Sequence, residues 1–119
     1  MIYQIIDPEV IKQSMMGNDE LIKELIEMYI VQSPVDFQAL ENAISLGDQI
    51  LIREKAHHIK PTMQYIGATE LMNDFQTLEN LSKSNVSQAE ILHKFQQIKF
   101  QFARMLEELK VLSQNPSRL

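Results

Sequence analysis

Seven apolar side chains, Ile91, Phe95, Ile98, Phe102, Met105, Leu109 and Leu112, recur at alternating spacings of four and three residues. That is a seven-residue repeat sustained for about three heptads, a pattern that only a helix packed along its length against other helices can bury. The same rhythm returns upstream in Ile52, Ala56, Ile59, Met63 and Ile66, a narrow seam. It returns again in Leu71, Met72, Phe75, Leu78 and Leu81, and in Ile22, Leu25, Ile26 and Tyr29. With three glycines, four prolines and few β-branched runs, the 119-residue chain offers little material for a sheet. The expected class is all-α.

Punctuation marks divide these stripes into elements. Asp7 before Pro8 supplies a capping acceptor and a ring pre-set for the first helical position, so a short helix is expected from about Pro8 to Met16, ended by Gly17-Asn18. A second helix reaches about Ser33, where Pro34 interrupts or kinks it. Ser33 is then available to cap a continuation carrying Phe37, Leu40 and Ile44 up to Gly47-Asp48. Further helices are predicted from Gln49 to Ile66, ended by Gly67, and from Thr69 to Lys83, with Ser82-Lys83-Ser84-Asn85 as a loop. Ser87 and Glu90 form a capping box for the last one. Short turns between four long amphipathic helices imply an antiparallel up-and-down four-helix bundle, with the extra N-terminal helix across one end. Residues 1–119 are expected to form one domain, with 1–6 and 114–119 as flexible ends.

Composition narrows the function. Eleven basic against sixteen acidic residues, a formal charge of −5, disfavour nucleic acid or anionic lipid as the main ligand and point to a protein partner. The absence of cysteine excludes disulfides, thiolate metal sites and cysteine nucleophiles, and is compatible with a reducing compartment. No apolar stretch approaches the roughly 20 residues of a membrane helix, so the expectation is a cytoplasmic protein that does not use the membrane.

Chemistry concentrates in Ala56-His57-His58-Ile59-Lys60-Pro61. Helical geometry groups Arg53, His57, Lys60, Pro61 and Gln64 within an arc of about 100°, on the side away from the Ile52-Ala56-Ile59-Met63 seam. His57 therefore points outward. Neutral imidazole is a good nucleophile near neutral pH, since its unperturbed pKa is about 6.5. His58 is also off the seam, but Glu54 precedes it by four residues, whereas His57 has Arg53 and Lys60 as neighbours that favour an added dianion. A phosphoryl group should prefer His57. The plainer alternative is that both histidines are merely solvated surface residues, as is usual on a polar helix face. His93, about opposite its own apolar stripe, fits that description.

These residues resemble the histidine-containing phosphotransfer (HPt) domain, whose motif runs A-H-x-x-K-G with a further glycine ten residues after the histidine. Ile66-Gly67-Ala68 and Leu71 match that continuation, and Ile6-Asp7-Pro8-Glu9-Val10, Leu21 to Tyr29, Gly47-Asp48 and Leu78-Glu79 extend the likeness over nearly the whole chain. The resemblance implies that His57 is the phospho-acceptor, Lys60 its basic partner in stabilising the phosphate, and Gly67 the end of the histidine helix. Gln64 and Glu79 are candidate hydrogen-bond neighbours of the imidazole. Ile52, Tyr65 and His58 are candidate docking residues, with Met28 and Val31 on the adjacent helix. The partners implied are receiver domains of response regulators and hybrid histidine kinases, which would supply the acidic pocket and the magnesium. The chain itself is expected to need no cofactor or metal and to be a monomer.

One position departs from the pattern. Pro61 stands where the family has glycine, and its missing N–H frees the carbonyl of His57, so a kink is expected at the active residue. No G-x-x-x-x-G-K-[ST] loop or kinase motif occurs, so ATP-dependent autophosphorylation is not expected. Two rival readings remain. One is an interaction module without phosphate chemistry. The other is a di-iron carboxylate bundle enzyme, suggested by the Glu-x-x-His spacings of Glu54 with His57 and Glu90 with His93.

Overall fold

The computed structural model describes residues 3–84 and 86–114. Five helices follow one another, α1 Pro8–Ser14, α2 Asp19–Leu46, α3 Gln49–Tyr65, α4 Thr69–Lys83 and α5 Gln88–Gln114. Each long helix packs on its chain neighbours, and α5 returns to α2, closing a four-membered ring, while α1 rests on α2 and α3. The result is the antiparallel bundle with a short extra helix, 46 Å long and about 20 Å across.

Local chemistry sets the helix starts. The Asp7 carboxylate accepts the N–H of Glu9, Asn18 the N–H of Leu21, and Asp48 the N–H of Leu51. Ser87 Oγ accepts from the Glu90 N–H, as the capping-box spacing requires.

Pro34 neither interrupts nor caps. α2 runs through it as one 28-residue helix, and Ser33 is buried within that helix rather than serving as a cap. The apolar register explains this: Ile22, Ile26, Phe37, Leu40 and Ile44 keep one face across the proline, and their burial offsets the one hydrogen bond it removes. Phe37 stacks on Phe102 at 4.2 Å and on Phe95 at 5.1 Å, with Phe75 edge-on to both Phe37 and Phe102. This aromatic cluster joins α2, α4 and α5 just beyond the proline. α3 likewise passes through Pro61 without a break.

The amino-terminal segment is not a flexible end over the residues described. Ile6 is buried, Tyr3 and Ile5 pack against the core, and the Glu108 carboxylate on α5 accepts the backbone N–H groups of Gln4, Ile5 and Ile6. The reason is satisfaction of polar groups: an extended segment lying on the bundle needs an acceptor for its amides, and a buried carboxylate needs donors. Asp7 then donates its N–H to the Ile66 carbonyl, 3.0 Å away. This close approach needs Gly67, whose φ is +71° and whose missing Cβ would stand 2.6 Å from the Asp7 Cβ. Ser82 belongs to α4 and is buried. Residues 1–2, Asn85 and the tail from residue 115 lie outside the described residues.

Candidate functional site

The ring nitrogen Nδ1 of His57 on α3 lies 3.1 Å from Oε1 of Glu79 on α4. The other carboxylate oxygen, Oε2, lies 2.7 Å from Nζ of Lys60, which also donates to Oε1 of Gln76 at 2.5 Å. Gln76 in turn donates to Asn80. The imidazole is 69% exposed while the Glu79 side chain is only 8% exposed, so the carboxylate forms a floor beneath an open ring. Burial pushes the Glu79 carboxyl up. The hydrogen bond and charge of Lys60, with smaller contributions from the charges of His57 and Lys83, outweigh burial and hold it below the usual carboxylate value.

This arrangement has a chemical consequence. An ionised carboxylate only accepts, so the nitrogen facing it carries the proton, and the neutral ring keeps its lone pair on Nε2. Two residues one turn apart on α3 and one on α4 thus perform distinct tasks. Lys60 keeps Glu79 charged, Glu79 fixes the tautomer and orientation of His57, and His57 offers a nucleophilic nitrogen to solvent.

An open groove of ≈ 300 Å³ runs beside the ring, bounded by His57, Lys60, Pro61 and Gln64 from α3 and by Met72 and Gln76 from α4. Arg53, half-buried one turn earlier, is not among the residues bounding it. Lys60 was expected on the open polar face beside His57. Its side chain is only 17% exposed and is spent on Glu79 and Gln76, because a buried carboxylate draws the nearest cation inward. Ile52 does not belong to any docking surface: it is fully buried, as its place in the seam requires. Tyr65, Met28 and Val31 are exposed.

His58 sits on the opposite flank of α3. It is as exposed as His57, but its Nε2 lies 3.8 Å from Asp36 on α2, and it shares a depression with Glu54. Asp36 and Glu54 on that flank outnumber Lys55, the cation that shares the depression, and disfavour a phosphoryl dianion. Glu54, His57, Glu90 and His93 are all solvent-exposed, so the two Glu-x-x-His pairs do not project into the bundle as a di-iron site demands. No group of three or more His, Asp or Glu among the described residues could hold a metal ion.

Sequence reasoning missed Gln76 and the inward turn of Lys60. Gln76 lies three residues before Glu79 and therefore on the same face of α4, the one signal that pointed to it. No helix among the described residues is long and apolar enough to cross a membrane.

No curated protein and no solved structure matches the chain. The model of the Hpt domain family, whose members act in histidine phosphotransfer in two-component signalling, matches residues 24–111. That span takes in α3, α4, the His57–Glu79–Lys60 cluster and most of α2 and α5, and the chain belongs to the Hpt domain family.

Proposed function

We propose that the protein is a phosphorelay carrier that takes a phosphoryl group onto Nε2 of His57 from the aspartyl phosphate of one receiver domain and passes it to another. The observation that supports this most strongly is the exposed imidazole whose Nδ1 is held by a buried, ionised carboxylate. The Nε2 lone pair attacks phosphorus in line with the acyl oxygen, the P–O bond to the receiver aspartate breaks, and that aspartate leaves as a carboxylate. Nδ1 keeps its proton throughout. The phosphorylated ring carries positive charge, which the Glu79 carboxylate, 3.1 Å away, stabilises. Return of the group to a second receiver aspartate reverses each step.

Lys60 serves first by holding Glu79 ionised, and its ammonium is also the charge at hand for the equatorial phosphoryl oxygens. Arg53 adds positive potential one turn away, and Gln64 and Pro61 bound the groove through which the phosphate approaches. Magnesium belongs to the receiver in this scheme, and the carrier neither binds ATP nor phosphorylates itself. The reading includes a monomeric carrier in the cytoplasm, docked by receivers through an apolar rim that includes Tyr65.

Incubation with a phosphorylated receiver tests it. The wild-type chain should acquire an acid-labile, base-stable phosphate, and His57→Gln should acquire none. A label that survives His57→Gln and disappears in His58→Gln would overturn the assignment of His57.

A further inference from the structure

The ridge of α3 that carries His57 has two unlike flanks. On the α4 side the groove has a mainly apolar lining, but α4 exposes no large apolar side chain. On the α2 side Met28, Val31 and Val35 are 50%, 72% and 59% exposed, and Met28 shares a groove with Asp36, His58 and Pro61. A partner that covers His57 and also leans over α2 buries exposed apolar side chains that α4 does not offer.

The charges on that flank are one-sided. From Glu24 to the end of α2 at Leu46 the helix carries Glu24, Glu27, Asp36 and Glu41 and no basic residue. Of these, Glu41 is paired with Lys99, far from the histidine flank. Asp36 accepts from Gln32 and faces His58, within a depression that also holds Glu54 and Lys55. The depression thus holds two carboxylates, Asp36 and Glu54, against one ammonium, Lys55. On α3, by contrast, Arg53 stands one turn before His57, while the Lys60 ammonium is paired with the Glu79 carboxylate. The two flanks thus differ: beside His57 the buried carboxylate is paired with Lys60, whereas beside His58 the Asp36 carboxylate lies 3.8 Å from the ring with no lysine or arginine among the described residues paired to it.

Resting on the carrier reading above, we propose that the Asp36–His58 pair is a specificity determinant for the receiver. It favours a receiver that brings a lysine or arginine to the α2 rim while its own acidic phosphorylation pocket faces α3, and it repels one that brings a carboxylate to that rim. Such two-sign complementarity fixes the orientation of approach, since a receiver turned end for end would set acid against acid on α2. Asp36 touches neither the phosphate nor His57. It acts on encounter and register.

The test compares two phosphate donors. Receivers loaded from acetyl phosphate require docking, whereas phosphoramidate is a small donor that transfers its phosphoryl group to imidazole with loss of ammonia and requires none. For the receivers that serve wild type best, Asp36→Lys should lower the ratio of receiver-dependent to phosphoramidate-dependent label on His57 about tenfold at low salt, with the deficit shrinking as ionic strength rises. Asp36→Asn, the milder change, should lower the same ratio about threefold. Changing the receiver's rim lysine or arginine to glutamate should restore transfer to the Asp36→Lys carrier. A ratio unchanged by both substitutions overturns the proposal while leaving the carrier reading intact. Failure of every receiver to label wild type, with phosphoramidate still labelling His57, overturns the receiver reading and the proposal together.

Discussion

The imidazole of His57 and the carboxylate of Glu79, 22 residues apart in sequence, meet at 3.1 Å across the α3–α4 interface. A contact made by a buried acceptor to an exposed ring is orienting: it selects one tautomer and one ring plane. Glu79→Leu should therefore abolish the preference for the proton on Nδ1 and slow phosphotransfer about tenfold to a hundredfold, the usual effect of losing an orienting partner. Nitrogen NMR of the ring reads the tautomer directly. Glu79→Gln, which retains an acceptor oxygen but not the charge, should preserve the tautomer and slow transfer less than Glu79→Leu does.

The same carboxyl predicts a pH dependence of stability. Its pKa in the folded protein is lowered from the ordinary 4.5, so the unfolded chain binds the proton more tightly than the native one. The stabilisation it provides is complete above the ordinary value and is lost as pH falls through the lower folded value. Urea unfolding at a series of pH values between neutral and strongly acid should show this as declining stability. Lys60→Met removes the main cause of the lowering, leaves burial to act, and should shrink that part of the slope.

Glu108 is the anchor of the amino-terminal segment. Glu108→Ala leaves the amides of Gln4, Ile5 and Ile6 without their acceptor and should cost about 2–3 kcal/mol in denaturant unfolding. Hydrogen exchange should then accelerate first at those three amides. Protection unchanged there would refute the anchoring role.

Gly67 and Gly47 share a left-handed backbone but not a neighbourhood. A Cβ at Gly47 would meet nothing nearer than 4.0 Å, so Gly47→Ala should cost only the conformational penalty, about 1 kcal/mol. At Gly67 the same atom would collide with Asp7 at 2.6 Å and with Val10 at 3.0 Å. Gly67→Ala should cost about 1–3 kcal/mol beyond the Gly47 change, measured by the same unfolding experiment.

Much of the fold was legible because helix packing leaves a periodic trace. The stripes at Ile52 to Ile66 and Ile91 to Leu112 are buried along their length, and the caps at Asp7 and Ser87 are made. Pro34 misled because a local rule about a missing N–H was weighed without the flanking contacts of Phe37 with Phe95 and Phe102, which lie far apart in sequence. The ordering of residues 3–6 was illegible for a similar reason: it depends on Glu108, more than a hundred residues away, and a glutamate on a helix gives no sign that it faces inward. At the site, helical geometry correctly grouped His57, Lys60, Pro61 and Gln64 on one groove. It could not reveal that Lys60 turns toward Glu79, because the depth of a side chain depends on the neighbouring helix and not on its own.

Pro61 borders the groove on each flank of α3, one turn beyond His57. Its pyrrolidine ring has no long rotatable chain, so a surface meeting this crest finds one fixed contour and freezes no rotamers there. A lysine or glutamine at the same place would have to be immobilised at each encounter. For a component that must grip and let go repeatedly, a crest that is already rigid lowers the entropic toll of every contact.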